Sequence, residues 1–173
     1  MTEEQEKIIL ASMQHTSMLI RGLILDIFTV IEFLMDDIIA KTTFDTESEY
    51  DKFMAILEIR DLRMSVKKRL FKICIEKYET KYSKDLTLTK NNIDCVVEKR
   101  NVVAHYQVDT SDEGMALFIN KQTIRYMALT KDRKSMDYDS ITKEESQKIR
   151  DLIFKMQFEI IEMKQTIDSS LAQ

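Results

Sequence analysis

The 173-residue chain contains no proline and only two glycines, Gly22 and Gly114. Proline inside a helix costs about 3 kcal/mol and glycine about 1 kcal/mol relative to alanine. With so few breakers, long helices are expected. Cysteine is equally scarce. Cys74 and Cys95 show no CxxC or Cys/His ligand spacing and lie in helix-like stretches. They read as buried free thiols in a reducing compartment, not as a disulfide or a metal site. A long uninterrupted hydrophobic run is also missing. The oiliest stretch, MLIRGLILDIFTVIEFLMDDIIA, is broken by Arg21, Asp26, Glu32, Asp36 and Asp37. It falls short of the ~20 apolar residues of a membrane span. The start, MTEEQEK, is acidic and lacks the basic opening of a signal peptide. A cytoplasmic protein without a membrane partner is expected. No Gly-rich phosphate loop appears, which argues against NTP hydrolysis.

What is present suits one soluble domain spanning 1–173. Hydrophobic residues make up 44% and charged residues 32%, an ordinary balance for a chain long enough to bury a core. The 11 methionines suit helix packing, where a flexible thioether fills irregular gaps. The formal net charge of -4 argues against coating nucleic acid by bulk charge. One segment, 60–77, runs the other way: seven basic residues against Asp61 and Glu76, a balance of +5. It reads as a solvated helix face.

Thr2 and Gln5 form a capping box, and helical pattern then runs to about Thr43. Leu23, Ile24, Ile27, Ile31, Leu34 and Ile38 make a broad apolar face there, and Gly22 marks a bend or a close helix contact. A second helical region covers about 47–82, broken near 60–65, with Val66, Leu70, Ile73 and Tyr78 on its inner side. After the polar run YSKDLTLTKNN, Thr89 is expected to cap a helix carrying Ile93, Val96, Val97 and Val103. MALFIN and TIRYMAL read as a small β-hairpin, followed by the loop KDRKSMDYDS. Thr142 and Glu145 then open a final helix whose stripe of Ile149, Ile153, Met156, Ile160, Met163 and Ile167 steps by four and three. Such a stripe serves as bundle core or as a dimer seam. The fold expected is all-α, an antiparallel bundle of about four to five helices with a small hairpin before the last.

The stretch EKRNVVAHYQV closes the penultimate long helix. Histidine takes or gives a proton near neutrality. Arginine keeps its charge and presents a fork of donors that matches phosphate. Arg100 and His105 together suit phosphodiester cleavage without a metal, the 2′-hydroxyl of RNA serving as nucleophile. On a regular helix five residues turn by about 140°, so the two do not share a face. Asn101 and His105, four apart, do. Arg100 must then reach His105 through termination of the helix or from across a dimer. A polar helix end, with His105 favourably placed at the C-terminus of the dipole, accounts for the same residues without chemistry. Lys99 and Tyr106 flank the motif and are candidate substrate-binding residues.

An all-helical domain in which Arg100-Asn101-Val102-Val103-Ala104-His105 ends the penultimate long helix resembles the HEPN superfamily (higher eukaryotes and prokaryotes nucleotide-binding domain). Ribonucleases of that family share an Arg-x4-6-His motif, commonly with a polar residue directly after the arginine. The resemblance covers most of the chain as architecture, but only these six residues as sequence. It implies a metal-independent endoribonuclease with Arg100, Asn101 and His105 at its site, no cofactor, and a homodimer whose motifs face each other. Toxins of toxin–antitoxin pairs and antiviral-defence RNases belong to the family, so an antitoxin or a nucleotidyltransferase partner is implied. One toxin class extends the motif to His-x-Tyr and has that tyrosine modified. Here Tyr106 stands one place too early, which puts that regulation in doubt. The alternative is a HEPN-like dimeric binding module without catalysis.

Other polar groups carry less. Glu32 and Asp36 lie one turn apart, as in carboxylate metal sites, but the matching Glu-x-x-His is missing. They are expected to face solvent or pair with basic side chains. His15 is expected to be exposed, and the KDRK run at 131–134 to be a loop within reach of phosphate.

Overall fold

A computed structural model describes residues 2–44, 47–58, 63–130 and 135–171. The protein is all-α with one small antiparallel sheet. Its elements run α1 (Glu3–Thr43), α2 (Glu47–Glu58), α3 (Met64–Tyr82), α4 (Thr87–His105), β1 (Gln107–Val108), α5 (Asp112–Lys121), β2 (Thr123–Leu129), β3 (Met136–Thr142) and α6 (Lys143–Leu171). No helix among the described residues is long and apolar enough to cross a membrane. Two compact units are built from this chain. One comprises Met1–Ile27 and Glu98–Leu152, the other Phe28–Val97 and Ile153–Gln173.

The second unit is a helical bundle. Phe28, Ile31, Met35 and Ile38 of α1, Phe71 and Ile75 of α3, Ile93 and Val96 of α4, and Ile153, Met156, Ile160 and Met163 of α6 are buried in it. From Ile153 to Ile167 the four-and-three stripe of the last helix is therefore core, whereas Ile149 is half-buried. Polar pairs fix the register. Lys164 lies 3.1 Å from Asp37 and Lys41 2.6 Å from Asp168, stepping together along α1 and α6. The hydroxyl of Tyr78 donates to Thr166 and that of Tyr82 to Ser170, stepping together along α3 and α6. Along α4 the order reverses: Lys84, just before it, meets Glu162, and Thr89 meets Glu159. Helices α1, α3 and α6 thus run one way and α4 runs against them.

Several expectations need correcting here. Helix α3 turns a different face inward. Lys67, Phe71, Cys74, Ile75 and Tyr78 are buried, whereas Val66 and Ile73 are exposed. The cause is Lys67, whose ammonium lies 2.7 Å from Asp36 and 3.2 Å from Glu32 of α1. Within the basic segment Lys67 is thus a buried ion-pair partner, while Lys68 and Lys72 pair with Asp94. Arg60 and Asp61 lie outside the described residues. Cys74 is buried, and burial pushes its thiol up despite a hydrogen bond with Thr42. Cys95 is exposed. Thr89 is not a cap. It sits fully buried inside α4, where its amide and hydroxyl both donate to Glu159, at 2.8 and 2.7 Å. Asp85 instead accepts the amide of Thr87, the first residue of α4.

Hydrogen bonds from Lys68 and Lys72 hold the Asp94 carboxyl below its usual range. A depressed folded value gives stability that is present above the unfolded value, about 3.9 for aspartate, and lost as pH falls through the folded one. Asp94→Asn is expected to flatten the acid limb of the stability–pH curve, read by urea unfolding at a series of pH values. A limb as steep as wild type's counts against the pairing.

The first unit carries the sheet, in the order β1-β2-β3 with both pairs antiparallel. Ile124 and Tyr126 of β2, Ile141 of β3, and Met13, Ile20 and Ile24 of α1 are buried in this unit, where Ser17 of α1 meets the Tyr126 hydroxyl at 3.2 Å. TIRYMAL is strand β2, as expected, but MALFIN is not its partner. It belongs to α5, and the hairpin is completed by MDYDSIT, from the stretch read as a loop. Ser111 accepts the amide of Gly114, and Asp112 and Glu113 occupy the first turn, where the helix dipole favours negative charge. Met115 and Phe118, three apart, are then buried together. A short apolar run is ambiguous between strand and helix, and its cap decided it. The final capping box forms as read: Thr142 and Glu145 exchange hydrogen bonds of 2.8 and 3.0 Å.

Candidate functional site at the end of the fourth helix

The motif lies wholly in the first unit, on the last turn and a half of α4. Val102 and Val103 are its buried anchors. Because they face inward, Arg100 and Asn101 are left half-buried and His105 exposed. The helix ends at His105, with the amide of Tyr106 closing the last turn on Val102 at 2.9 Å.

Nη1 of Arg100 donates to Oδ1 of its neighbour Asn101 at 3.2 Å. Asn101 therefore orients the arginine, not the imidazole that shares its face. His105 has no hydrogen-bond partner among the described residues. Within one chain, nothing there fixes its tautomer.

The flanking candidates are engaged elsewhere. Nζ of Lys99 donates to both carboxylate oxygens of Asp139, at 2.8 and 2.7 Å. The hydroxyl of Tyr106 donates to Asp137 at 2.6 Å, and this bond pushes the phenol up from its ordinary value. Both acids belong to β3, so Lys99 and Tyr106 tie the end of α4 to the sheet. A phosphate would have to displace these carboxylates.

A further cation completes the cluster. Arg21 of α1 reaches across to the end of α4, where its Nη2 donates to the backbone carbonyl of Tyr106. A cation there complements the negative end of the helix. Arg21 also donates through Nε to Ser17 at 3.3 Å and lies 5.4 Å over the ring of Tyr126. Ser17 and Tyr126 are hydrogen-bonded to each other at 3.2 Å, both buried. Burial pushes the Tyr126 phenol up, against Ser17 and Arg21. Arg21 had figured in the sequence only as an interruption of an oily run. Its partner lies 85 residues away, and no spacing signals it.

The other polar candidates are structural. Asp36 and Glu32 pair with Lys67, while Asp37 accepts the Tyr50 hydroxyl at 2.5 Å. Burial and that bond push the Tyr50 phenol up to about 12. No group of three or more His, Cys, Asp or Glu is placed to hold a metal among the described residues. His15 is exposed, and the KDRK run lies outside the described residues. No protein-family model, curated protein or solved structure matches the chain.

Proposed function

We propose that the protein is a metal-independent endoribonuclease of HEPN type, of the toxin or antiviral-defence kind, acting as a homodimer. The observation that carries the reading is the placement of the motif. Helix α4 stops at His105, so the imidazole stands exposed beside Tyr106, at an end already lined by Arg21 and preceded by Arg100. In the reaction the 2′-oxygen bonds to phosphorus and the bond from phosphorus to the 5′-oxygen breaks. His105 takes the 2′-hydroxyl proton as general base or supplies the leaving oxygen with one as general acid. Arg100, steadied by Asn101, stabilises the added charge on the pentacoordinate phosphorus. The products carry 2′,3′-cyclic phosphate and 5′-hydroxyl ends. An antitoxin or nucleotidyltransferase partner belongs to this proposal.

The second reading, a binding module without catalysis, draws on the imidazole's lack of a described orienting partner and on Lys99 and Tyr106 being held by Asp139 and Asp137. Incubation of the purified protein with RNA in EDTA separates the two. Cyclic-phosphate ends are expected, with the rate lowered about 10²-fold or more in both Arg100→Ala and His105→Ala. Circular dichroism controls for folding. RNA left intact, or cut equally by both variants, refutes the catalytic assignment and leaves the binding reading.

A further inference from the structure

We propose that Arg21 anchors a backbone phosphate of the RNA strand, the neighbour of the scissile one, beside the end of α4. The proposal rests on the ribonuclease reading for its ligand and adds a binding group that the motif does not contain. Two other cations of this unit are met by carboxylates: Lys99 by Asp139, and Arg125 by Asp109 and Glu113. Arg21 differs. It is half-buried, and its described partners are the Ser17 hydroxyl, the Tyr106 carbonyl and the Tyr126 ring, none of them charged. The acids of β3 that reach the end of α4 are engaged there, Asp137 by the Tyr106 hydroxyl and Asp139 by Lys99. A half-buried charge faced by neutral dipoles favours an anion, and a substrate phosphate supplies one.

The guanidinium has donors to spare. An arginine carries five N–H groups in a fixed fork. Nε donates to Ser17 at 3.3 Å, and one Nη2 hydrogen goes to the Tyr106 carbonyl. Both Nη1 hydrogens and the second on Nη2 have no acceptor among the described residues, so each Nη keeps a donor for a two-point grip on phosphate. The fork is also held still. Ser17 is hydrogen-bonded to Tyr126 at 3.2 Å, both residues are buried, and the Tyr126 ring lies 5.4 Å from the guanidinium carbon. Little side-chain freedom is then left to lose when a ligand binds. Placement assigns the phosphate. Arg100 lies about 7.5 Å before His105 along α4, at 1.5 Å per residue. Arg21 grips the residue directly after His105, which puts its donating nitrogen within roughly 9 Å of the His105 Cα. Two arginines thus bracket the imidazole, Arg100 for the scissile phosphate and Arg21 for its neighbour.

Binding of a 2′-O-methyl RNA oligonucleotide to the full chain tests it, since a blocked 2′-oxygen cannot attack phosphorus. Fluorescence anisotropy over a series of salt concentrations gives the affinity and its salt slope. On single strands each phosphate contact contributes about 0.7 to that slope. Arg21→Gln keeps a donor for the Tyr106 carbonyl and loses the charge. It is expected to bind about tenfold more weakly and to lower the slope by about 0.7, with unchanged circular dichroism. Arg21→Lys keeps the charge but not the fork, so its slope should stay while its affinity falls several-fold. This variant carries the test should Arg21→Gln lose its fold. Lys7, exposed and paired with Glu3, lies about 21 Å away along α1. Lys7→Gln removes one charge as well and should leave affinity and slope alone. A wild type that does not bind, wild-type affinity in Arg21→Gln or Arg21→Lys, or an equal loss in Lys7→Gln overturns the proposal. Cleavage of unmodified RNA is measured on the same samples. Arg21-dependent binding without cyclic-phosphate ends leaves the anchor and removes the nuclease reading, whereas cleavage with an affinity indifferent to Arg21 does the reverse.

Discussion

Gly114→Ala is expected to destabilise the first unit by about 3 kcal/mol, a fall of roughly 6–12 °C in Tm. The substitution looks favourable from sequence, since alanine gains about 1 kcal/mol over glycine inside a helix. Position decides otherwise. Gly114 is buried in the first turn of α5, and its missing side chain is filled by the Asp109 backbone. An added Cβ would collide with the Asp109 carbonyl oxygen and stand 3.0 Å from its carbon and 3.1 Å from Cγ. Nothing there is free to give way. The Asp109 amide donates to the carbonyl of Arg125 at 2.8 Å, and its carboxylate accepts from the Ser111 amide at 3.0 Å and from Arg125. Burial alone would raise that carboxyl, but Ser111 and Arg125 outweigh it and hold it low. The clash thus falls on the joint of α5 with β2. Gly22→Ala is the control. With open space around it, the helix gain of about 1 kcal/mol should appear undiminished. Thermal unfolding followed by circular dichroism reads both. Equal responses from the two glycines would sink the argument.

That contrast shows where sequence reading reaches its limit. Both glycines look alike in the chain, and only the surroundings of each separate them. Local signals were legible. The Thr142–Glu145 box, the extent of α1 and the α6 core stripe each depend on residues within one or two turns. Face assignment on α3 was not legible, because a lysine ordinarily marks the solvent side. Lys67 is drawn inward by acids 31 and 35 residues earlier, which rotates the inner face toward Phe71 and Ile75. MALFIN failed for a related reason: apolar runs are read by period, and the deciding feature was the serine before it. At the candidate site the motif and the end of its helix were visible in the sequence. Arg21, Asp137 and Asp139 were not. They meet the end of α4 across separations of 85, 31 and 40 residues, and a single chain carries no record of such pairings.

Lys67→Met is expected to cost about 3–5 kcal/mol, the usual penalty for leaving a buried charge without its partner. Lys67 is 3% exposed and Asp36 8% exposed. Among the described residues, one Asp36 oxygen, Oδ1, is already buried without a hydrogen bond. Burial raises the Asp36 carboxyl above its ordinary value, and the bond from Lys67 is the main influence opposing this. Methionine fills nearly the same volume, so the loss would be electrostatic and not a cavity. Two consequences distinguish this from a packing defect. First, Asp36→Leu added to Lys67→Met should recover most of the stability, because an apolar pair of similar volume replaces a buried ion pair at little cost or none. Glu32 is more exposed and can turn to water. Second, the deficit should depend on pH with a sign opposite to that of Asp94. A carboxyl raised in the folded state costs stability above its folded value, a cost relieved progressively as pH falls from that value to the unfolded one. Without Lys67 that value rises further. The gap between Lys67→Met and wild type should therefore narrow on acidification toward pH 5, while both still keep the Asp94 ion pairs. Urea unfolding at pH 7 and pH 5 measures it. A gap that stays constant, or a double variant as unstable as Lys67→Met alone, would show that the lysine stem's packing, and not its charge, holds α3 against α1.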